Sequence, residues 1–194
     1  MTDWLFENYL ELLGVTLSIL YLLLSIRQNI LLWPVGIVGA MIYMVVFFQS
    51  KFYADMGLNG YYFLISIYGW ITWSRARVRD KHGMAVAHAG ITRCILLLTI
   101  TFFLFLLIGY LLENYTDSPI PYWDALTTSG SIVATWMLTR KIIEHWIVWV
   151  IVDLISLGLY VYRGLYPTAV LFAIYTAMAV IGYIQWNRSL KDCY

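Results

Sequence analysis

The sequence WIVWVIVD, residues 146–153, places an acid inside a long apolar run. The run continues to about Tyr162 and is long enough to cross a bilayer as a helix. At about 100° per residue, Trp146, Trp149 and Asp153 fall within about 60° of one another on that helix. A carboxylate at this depth costs at least about 2.5 kcal/mol to insert, so we expect it to face protein, water or a ligand. Two indoles beside one negative charge favour a flat organic cation as the ligand.

The composition indicates an integral membrane protein. Of the 194 residues, 62% are hydrophobic and only 12% are charged, whereas soluble domains contain about 25% charged residues. Cys94 and Cys193 fit no metal or redox spacing and the three histidines form no ligand cluster, so no metal and no cofactor are predicted. The N-terminus is acidic where a signal peptide would be basic, which predicts that the first hydrophobic segment stays in the mature protein.

Hydrophobic runs bounded by charges or turn residues predict seven transmembrane helices and an all-α fold. The predicted spans are 9–26, 29–49, 56–74, 93–112, 121–139, 143–162 and 165–186. Of the 12 Lys and Arg residues, all except Lys51 and Arg163 fall on one side of this arrangement. Because basic residues concentrate on the cytoplasmic side, the N-terminus is predicted to lie outside and the C-terminus in the cytoplasm.

The chain also repeats itself at an offset of 113 residues. The shift pairs, without a gap, Tyr9 with Tyr122, Glu11 with Asp124, Ser18 with Ser131, Arg27 with Arg140, Trp33 with Trp146, Tyr53 with Tyr166, Tyr62 with Tyr175, Gly69 with Gly182, Trp73 with Trp186 and Arg75 with Arg188. We therefore predict a three-helix repeat in 1–75 and a second repeat with a short cytoplasmic tail in 121–194. Between them, 76–120 holds a basic cytoplasmic loop, helix four and an acidic outer loop. A parallel 3+1+3 repeat is a transporter architecture, with the substrate site near mid-membrane between the halves.

Candidate site residues follow stripes on these helices. The predicted substrate-binding residues are Asp153, Trp149, Trp146, Asn59, Tyr62 and Ser66, and the predicted outer gate consists of Asp124, Glu11 and Tyr122. Each of these residue types can also be explained without a ligand. Tryptophans anchor helices at the membrane boundary, acids near helix ends are often simply solvated, and hydroxyl residues often mark helix packing. Asp153 is the hardest to explain in this way, because an idle carboxylate at that depth is costly.

Several motifs resemble the PnuC family of bacterial vitamin transporters along nearly the whole chain. The first half carries FFQ at 47–49 through Tyr53, IYGW at 67–70 and WSR at 73–75. The second half carries YWD at 122–124, SIVA at 131–134, LTRK at 138–141 and the stretch from Glu144 through Trp149. The resemblance implies seven helices in two parallel repeats similar to those of full-length SWEET sugar carriers, and often a homotrimer. It also implies facilitated diffusion of an unphosphorylated vitamin across the bacterial inner membrane, with trapping by a cytoplasmic kinase.

The substrate is suggested by departures from the family pattern. Members that resemble nicotinamide riboside carriers tend to have Asn at the positions of Gly39, Ser66 and Asp153, and Gln at that of Asn59. Because an Asp in place of Asn changes both charge and donor pattern, the same ligand is not expected to be preferred. Thiamine fits best, since its thiazolium is cationic and its aminopyrimidine can stack on indole and donate to a carboxylate. The resemblance therefore points to the thiamine-transporting branch, with nicotinamide riboside, also a cation, as the alternative.

Other classes of protein fit the sequence less well. A retinal photoreceptor needs a lysine inside a span, whereas all four lysines fall in loops or at boundaries. An enzyme needs a catalytic or metal-binding constellation, and none is visible, so no catalytic activity is predicted. No G-x-x-x-x-G-K-[ST] loop occurs, which argues against direct coupling to ATP. A sensory or receptor role stays open as the alternative of another class, although the loops are short and no domain is appended.

Overall fold

The structure is a computed structural model that describes residues 9–49, 53–80, 83–116 and 118–191. Within these ranges the chain forms seven α-helices and no strand, which confirms the predicted fold class. The helices are α1 Tyr9–Ile26, α2 Leu32–Gln49, α3 Tyr53–Arg79, α4 Gly90–Tyr115, α5 Pro121–Thr139, α6 His145–Tyr162 and α7 Tyr166–Lys191. By length and hydropathy α4, α6 and α7 can each cross a membrane, and shorter apolar helical stretches cover Leu13–Ile26 and Leu32–Phe48.

The chain divides into two compact units, Met1–Met84 and Ala85–Tyr194. In the first unit, α2 packs against both α1 and α3. In the second unit, α5 packs against α4 and α6, and α6 packs against α7. The linking helix α4, which the sequence set apart from both repeats, thus belongs to the second unit. It buries only Leu97 and Gly109.

The turn after α1 and the turn after α5 have the same backbone geometry. Each contains a non-glycine residue with positive φ, Gln28 at 53° and Lys141 at 51°, and these two residues are 113 positions apart. In both turns this residue donates its N–H to the carbonyl three residues earlier, at 3.0 Å. The next residue donates to the carbonyl five residues earlier, at 2.9 Å in the first turn and 3.1 Å in the second. Both helices therefore end in a Schellman motif, although a side chain in the left-handed region costs about 1–2 kcal/mol.

A tryptophan five residues beyond each of these positions packs on a glycine of the following helix. In the first unit, Trp33 lies against Gly69 and meets Trp73 edge-on, with ring centroids 5.4 Å apart and planes at 90°. The equivalent residues of the second unit do the same: Trp146 lies against Gly182 and meets Trp186 at 5.8 Å and 85°. A methyl group on either glycine would overlap the indole. The shared turn and the shared contact both support the predicted duplication.

The segment before α4 is attached to the α5–α6 turn of the same unit. Ala87 and Ile142 form an isolated parallel bridge. The Glu144 carboxylate accepts a hydrogen bond from the Ala89 N–H at 3.1 Å and lies 2.9 Å from Nδ1 of His88. These contacts fix the start of α4 relative to the start of α6.

Candidate functional site

Helices α5 and α6 form the polar part of the second unit. They approach closely at Gly130, where an added Cβ would lie 2.8 Å from the Val152 side chain. The hydroxyls of Ser131 and Thr135 donate to carbonyls one turn earlier on α5, at 2.8 and 2.7 Å. Buried hydroxyls whose donors are satisfied within their own helix fit the plainer interpretation of this stripe, in which it is a packing face.

Asp153 lies on α6, next to this close approach, and is only 4% exposed. In the described part of Ala85–Tyr194, no hydrogen bond or ion pair reaches its carboxylate. Leaving a buried acceptor unsatisfied costs about 1–3 kcal/mol, and more when the group is charged. Asp153 is therefore a buried acid whose carboxylate receives no hydrogen bond from the described part of its own unit.

A polar cleft of about 50 Å³ opens where α5 begins and α6 ends. Its lining residues are Ile120, Asp124, Thr127, Ser156, Leu159, Tyr160 and Arg163. Ser156, in the wall of the cleft, is three residues from Asp153 on the same helix, which corresponds to about 4.5 Å along the axis. The cleft therefore ends about one helical turn from the buried acid.

The predicted gate residues do not all meet at this cleft. Asp124 lines it and accepts a hydrogen bond from the Ser118 hydroxyl at 2.5 Å, in the first turn of α5, where negative charge is favoured. Tyr122 instead packs over Gly109 of α4 and donates its hydroxyl hydrogen to Glu113 at 2.6 Å. The side chain of Glu11 lies outside the described residues.

The two predicted indoles of α6 have different surroundings. Trp146 is 1% exposed and is enclosed by Gly182, Trp186 and the ring of His145, whose centroid lies 4.5 Å away. Trp149, about 60° away around the helix, is half-buried. Trp146 therefore occupies a packing position, and Trp149 is the indole that keeps a partly free surface.

The other three predicted residues belong to α3 of the first unit. Ser66 is buried, and its Oγ lies 3.0 Å from the position that a Cβ on Gly36 would take. Asn59 and Tyr62 are half-buried on the same helix. That these residues and Asp153 bind one ligand stays a prediction.

Three residues near these positions were not identified from the sequence. His145 is fully buried, with Nδ1 2.7 Å from the Ile142 carbonyl and Nε2 without a partner among the described residues. Arg163 lines the cleft, although the sequence assigned it only to topology; its position seven residues after Ser156 could have placed it on the same face. Tyr21 packs on Gly36. Within the described ranges, no group of three His, Cys, Asp or Glu side chains is placed to hold a metal ion.

Comparison with known proteins assigns the family. A family model described as nicotinamide mononucleotide transporter matches residues 8–188. The chain belongs to this family, the PnuC family of membrane transporters. The predicted membrane location and transport role are thereby confirmed at the level of the family, and its members are transporters rather than enzymes.

The relatives transport different vitamins. The chain is 23% identical to the nicotinamide riboside transporter PnuC of Escherichia coli (strain K12), over 95% of this chain and 87% of that protein. It is 24% identical to the riboflavin/roseoflavin transporter RibM of Streptomyces davaonensis, over 97% and 91%. A crystal structure of the vitamin B3 transporter PnuC matches with a TM-score of 0.77 at 20% identity, covering 95% of this chain and 83% of that one. The PnuC-family chain described here therefore has the same fold as that transporter.

The cleft predicts a difference in thiol reactivity along α5. In a Cys94→Ser, Cys193→Ser background, Thr127→Cys places a thiol in the cleft wall, whereas Ser129→Cys on the same helix places one at a fully buried position. We expect a charged, membrane-impermeant maleimide added outside intact cells to label Thr127→Cys at least about tenfold faster, because the reagent needs an accessible thiolate. Equal rates would show that the cleft is closed or faces the other side of the membrane.

Proposed function

We propose that this protein carries thiamine across the bacterial inner membrane by facilitated diffusion, and that a cytoplasmic kinase traps the vitamin inside. The observation that carries the proposal is the Asp153 carboxylate, 4% exposed and without a hydrogen bond from the described part of its own unit. In a membrane, a permanent organic cation offsets the cost of such an acid. The chain belongs to a family of vitamin transporters, which supports a vitamin as the transported molecule.

Asp153 favours cationic over neutral vitamins. Riboflavin is uncharged and gains no ion pair from the acid, whereas thiamine and nicotinamide riboside both carry a charged ring. Thiamine also has an exocyclic amine that can donate to a carboxylate. The family resemblance adds to this, because members that resemble nicotinamide riboside carriers tend to have Asn at this position. Nicotinamide riboside remains the alternative, supported by the relative in Escherichia coli that is named for it.

The cleft suggests how the vitamin reaches the acid. The cleft is lined by Asp124, which attracts a cation, by Arg163, which repels one, and by Ser156, one turn from Asp153. At about 50 Å³ it is smaller than a vitamin site, so entry along this path requires α5 and α6 to separate here. Trp149, half-buried on the same helix, can stack against a flat ring. Asn59, Tyr62 and Ser66 of the first unit supply amide and hydroxyl groups for its polar substituents. Trp146 is left out of this set because Gly182 and Trp186 enclose it.

Topology and assembly complete the proposal. The distribution of Lys and Arg supports a protein whose N-terminus is outside and whose C-terminus is cytoplasmic, with the cleft on the outer side. The family resemblance supports a homotrimer. Native mass spectrometry of the detergent-solubilised protein would then give three times the chain mass of 22.5 kDa.

Substrate preference can be measured by binding to the purified protein. The nine tryptophans provide a fluorescence signal for titrations with thiamine, nicotinamide riboside and riboflavin. We expect thiamine to bind at least about tenfold more tightly than either of the others, because only thiamine combines a cationic ring with an amine for the acid. If nicotinamide riboside binds as tightly as thiamine or more tightly, it replaces thiamine as the proposed substrate. Uptake of the preferred vitamin into proteoliposomes would distinguish a transporter from a sensor.

The role of the acid can be tested by Asp153→Asn. Charge-assisted hydrogen bonds contribute about 1.5–3 kcal/mol, so we expect thiamine affinity to fall about tenfold or more. Asp80→Asn, which removes the same charge from an exposed position after α3, serves as the control and is expected to leave affinity unchanged. An Asp153→Asn protein that melts like the wild type and binds thiamine equally well would remove Asp153 from the site.

A further inference from the structure

Glu144 is the residue directly before α6, but its side chain contacts the start of α4. It makes no side-chain hydrogen bond to the first turn of α6. One carboxylate oxygen instead accepts a hydrogen bond from the Ala89 N–H, directly before α4, at 3.1 Å. The other oxygen lies 2.9 Å from Nδ1 of His88. A side chain at the start of one helix thus satisfies a backbone donor at the start of another.

The start of α4 has no such acceptor of its own. Ala89 occupies the capping position, and its side chain cannot accept a hydrogen bond. In a capping box, a Glu or Gln three residues further on accepts from the N–H of the capping residue. In α4 that position is Thr92, and the first turn contains no acid. Glu144 therefore supplies from another element both the acceptor and a negative charge near the positive end of the helix.

The equivalent turn of the first unit shows that the turn itself does not require the acid. At the 113-residue offset, Glu144 corresponds to Leu31, which is 55% exposed. The turns that contain Gln28 and Lys141 have the same backbone geometry, so the first of them forms without a carboxylate at this position. The second unit differs in containing a fourth helix, α4. The comparison assigns Glu144 to the attachment of α4.

Other contacts hold α4 to its unit near both ends. At its start, Ala87 forms the parallel bridge with Ile142, and Ile142 belongs to the same apolar cluster as Leu97 of α4. At its far end, the Tyr122 hydroxyl of α5 donates to Glu113 at 2.6 Å. Polar contacts at both ends thus supplement the packing of a helix that buries only two residues.

We propose that Glu144 is a positioning residue for transport, which keeps α4 attached to α6 while the vitamin crosses the membrane. The proposal depends on the transport role of the family and not on the identity of the vitamin. Without the carboxylate, the Ala89 N–H loses its acceptor and the start of α4 loses its hold on the helix that carries Asp153. Glu144 is nine residues from Asp153, or about 14 Å along the helix axis. Its loss should therefore slow transport and leave binding unchanged.

Uptake into proteoliposomes and binding titrations separate these two effects. The ligand is thiamine, or nicotinamide riboside if the wild type prefers it. We expect Glu144→Ala to lower the maximal uptake rate at least about threefold and to keep the dissociation constant within about twofold of the wild type. Glu144→Gln keeps an acceptor for the Ala89 N–H and should retain at least about half of the rate. His88→Ala is the matched control with the same expectation, because the His88 side chain is 62% exposed and exposed ion pairs contribute little.

A disulfide in place of the Glu144 contact tests whether the attachment persists during transport. Ala87→Cys and Ile142→Cys are combined in the Cys94→Ser, Cys193→Ser background. Adjacent backbones in a β-bridge lie about 5 Å apart, within the range that a disulfide spans. The oxidised protein should transport at the rate of its reduced form. In combination with Glu144→Ala, oxidation should restore at least about half of the lost rate, and reduction should remove it again.

Each of three results would overturn the proposal. The first is arrest of uptake by the disulfide in the protein that retains Glu144, since α4 and α6 would then have to separate during transport. The second is a wild-type uptake rate in Glu144→Ala. The third is an equal loss of rate and affinity in that variant, which would indicate a role in binding.

Melting temperatures of all variants separate a loss of transport from a loss of folding. Ile142 is buried, so a second pair covers the case in which its replacement prevents folding. That pair is His88→Cys with Glu144→Cys, joined by a short bifunctional thiol reagent and subject to the same expectation: uptake is slow before linkage and at least about half restored after it. A wild type that prefers nicotinamide riboside overturns the thiamine assignment alone, because the same rates are then measured with nicotinamide riboside.

Discussion

A tryptophan ring packed on the backbone of a glycine joins α2 to α3 in the first unit and α6 to α7 in the second. In lipid there is no hydrophobic drive between helices, so their association depends on close van der Waals contact. The contact also fixes the rotation of α6 about its axis, because Trp146 must face Gly182. Asp153 is seven residues further along and therefore lies within about 20° of Trp146 around the helix. The packing of one indole thus turns the acid away from lipid, where its charge would be most costly.

Two kinds of feature could be predicted from the sequence. The first follows from the periodicity of side chains within one helix, and the second follows from identical residues at a fixed offset along the chain. Each of the seven helices overlaps a predicted span, although α3 and α7 each continue five residues beyond the predicted end, and the 113-residue offset had already paired Trp33 with Trp146 and Gly69 with Gly182. It did not reveal that each tryptophan contacts the paired glycine of its own repeat. That contact depends on the positions of two neighbouring helices relative to each other along their axes, which the periodicity within one helix does not give.

For the same reason, some residues that the sequence placed in one group lie apart in the structure. Periodicity gives a direction around a residue's own helix and does not say which neighbour lies in that direction. Tyr122 points to α4, a helix that the sequence had set apart from the second repeat. Trp146 and Trp149 lie on the same stripe of α6, about 60° apart around the helix axis. This difference is enough for α7 to enclose the Trp146 ring while the Trp149 side chain stays partly exposed.

A duplicated chain with identical side chains would offer every binding group twice, which suits a symmetric ligand better than a vitamin with one charge. The counterpart of Asp153 in the first unit is Ala40, which is also buried. For the monovalent cation proposed as the transported molecule, a second buried acid would stay uncompensated, at a cost of at least about 2.5 kcal/mol. An acid in one unit and an alanine at the equivalent position of the other are consistent with that proposal. The two units thus differ in side chains at equivalent positions, whereas the turns at Gln28 and Lys141 have the same backbone geometry.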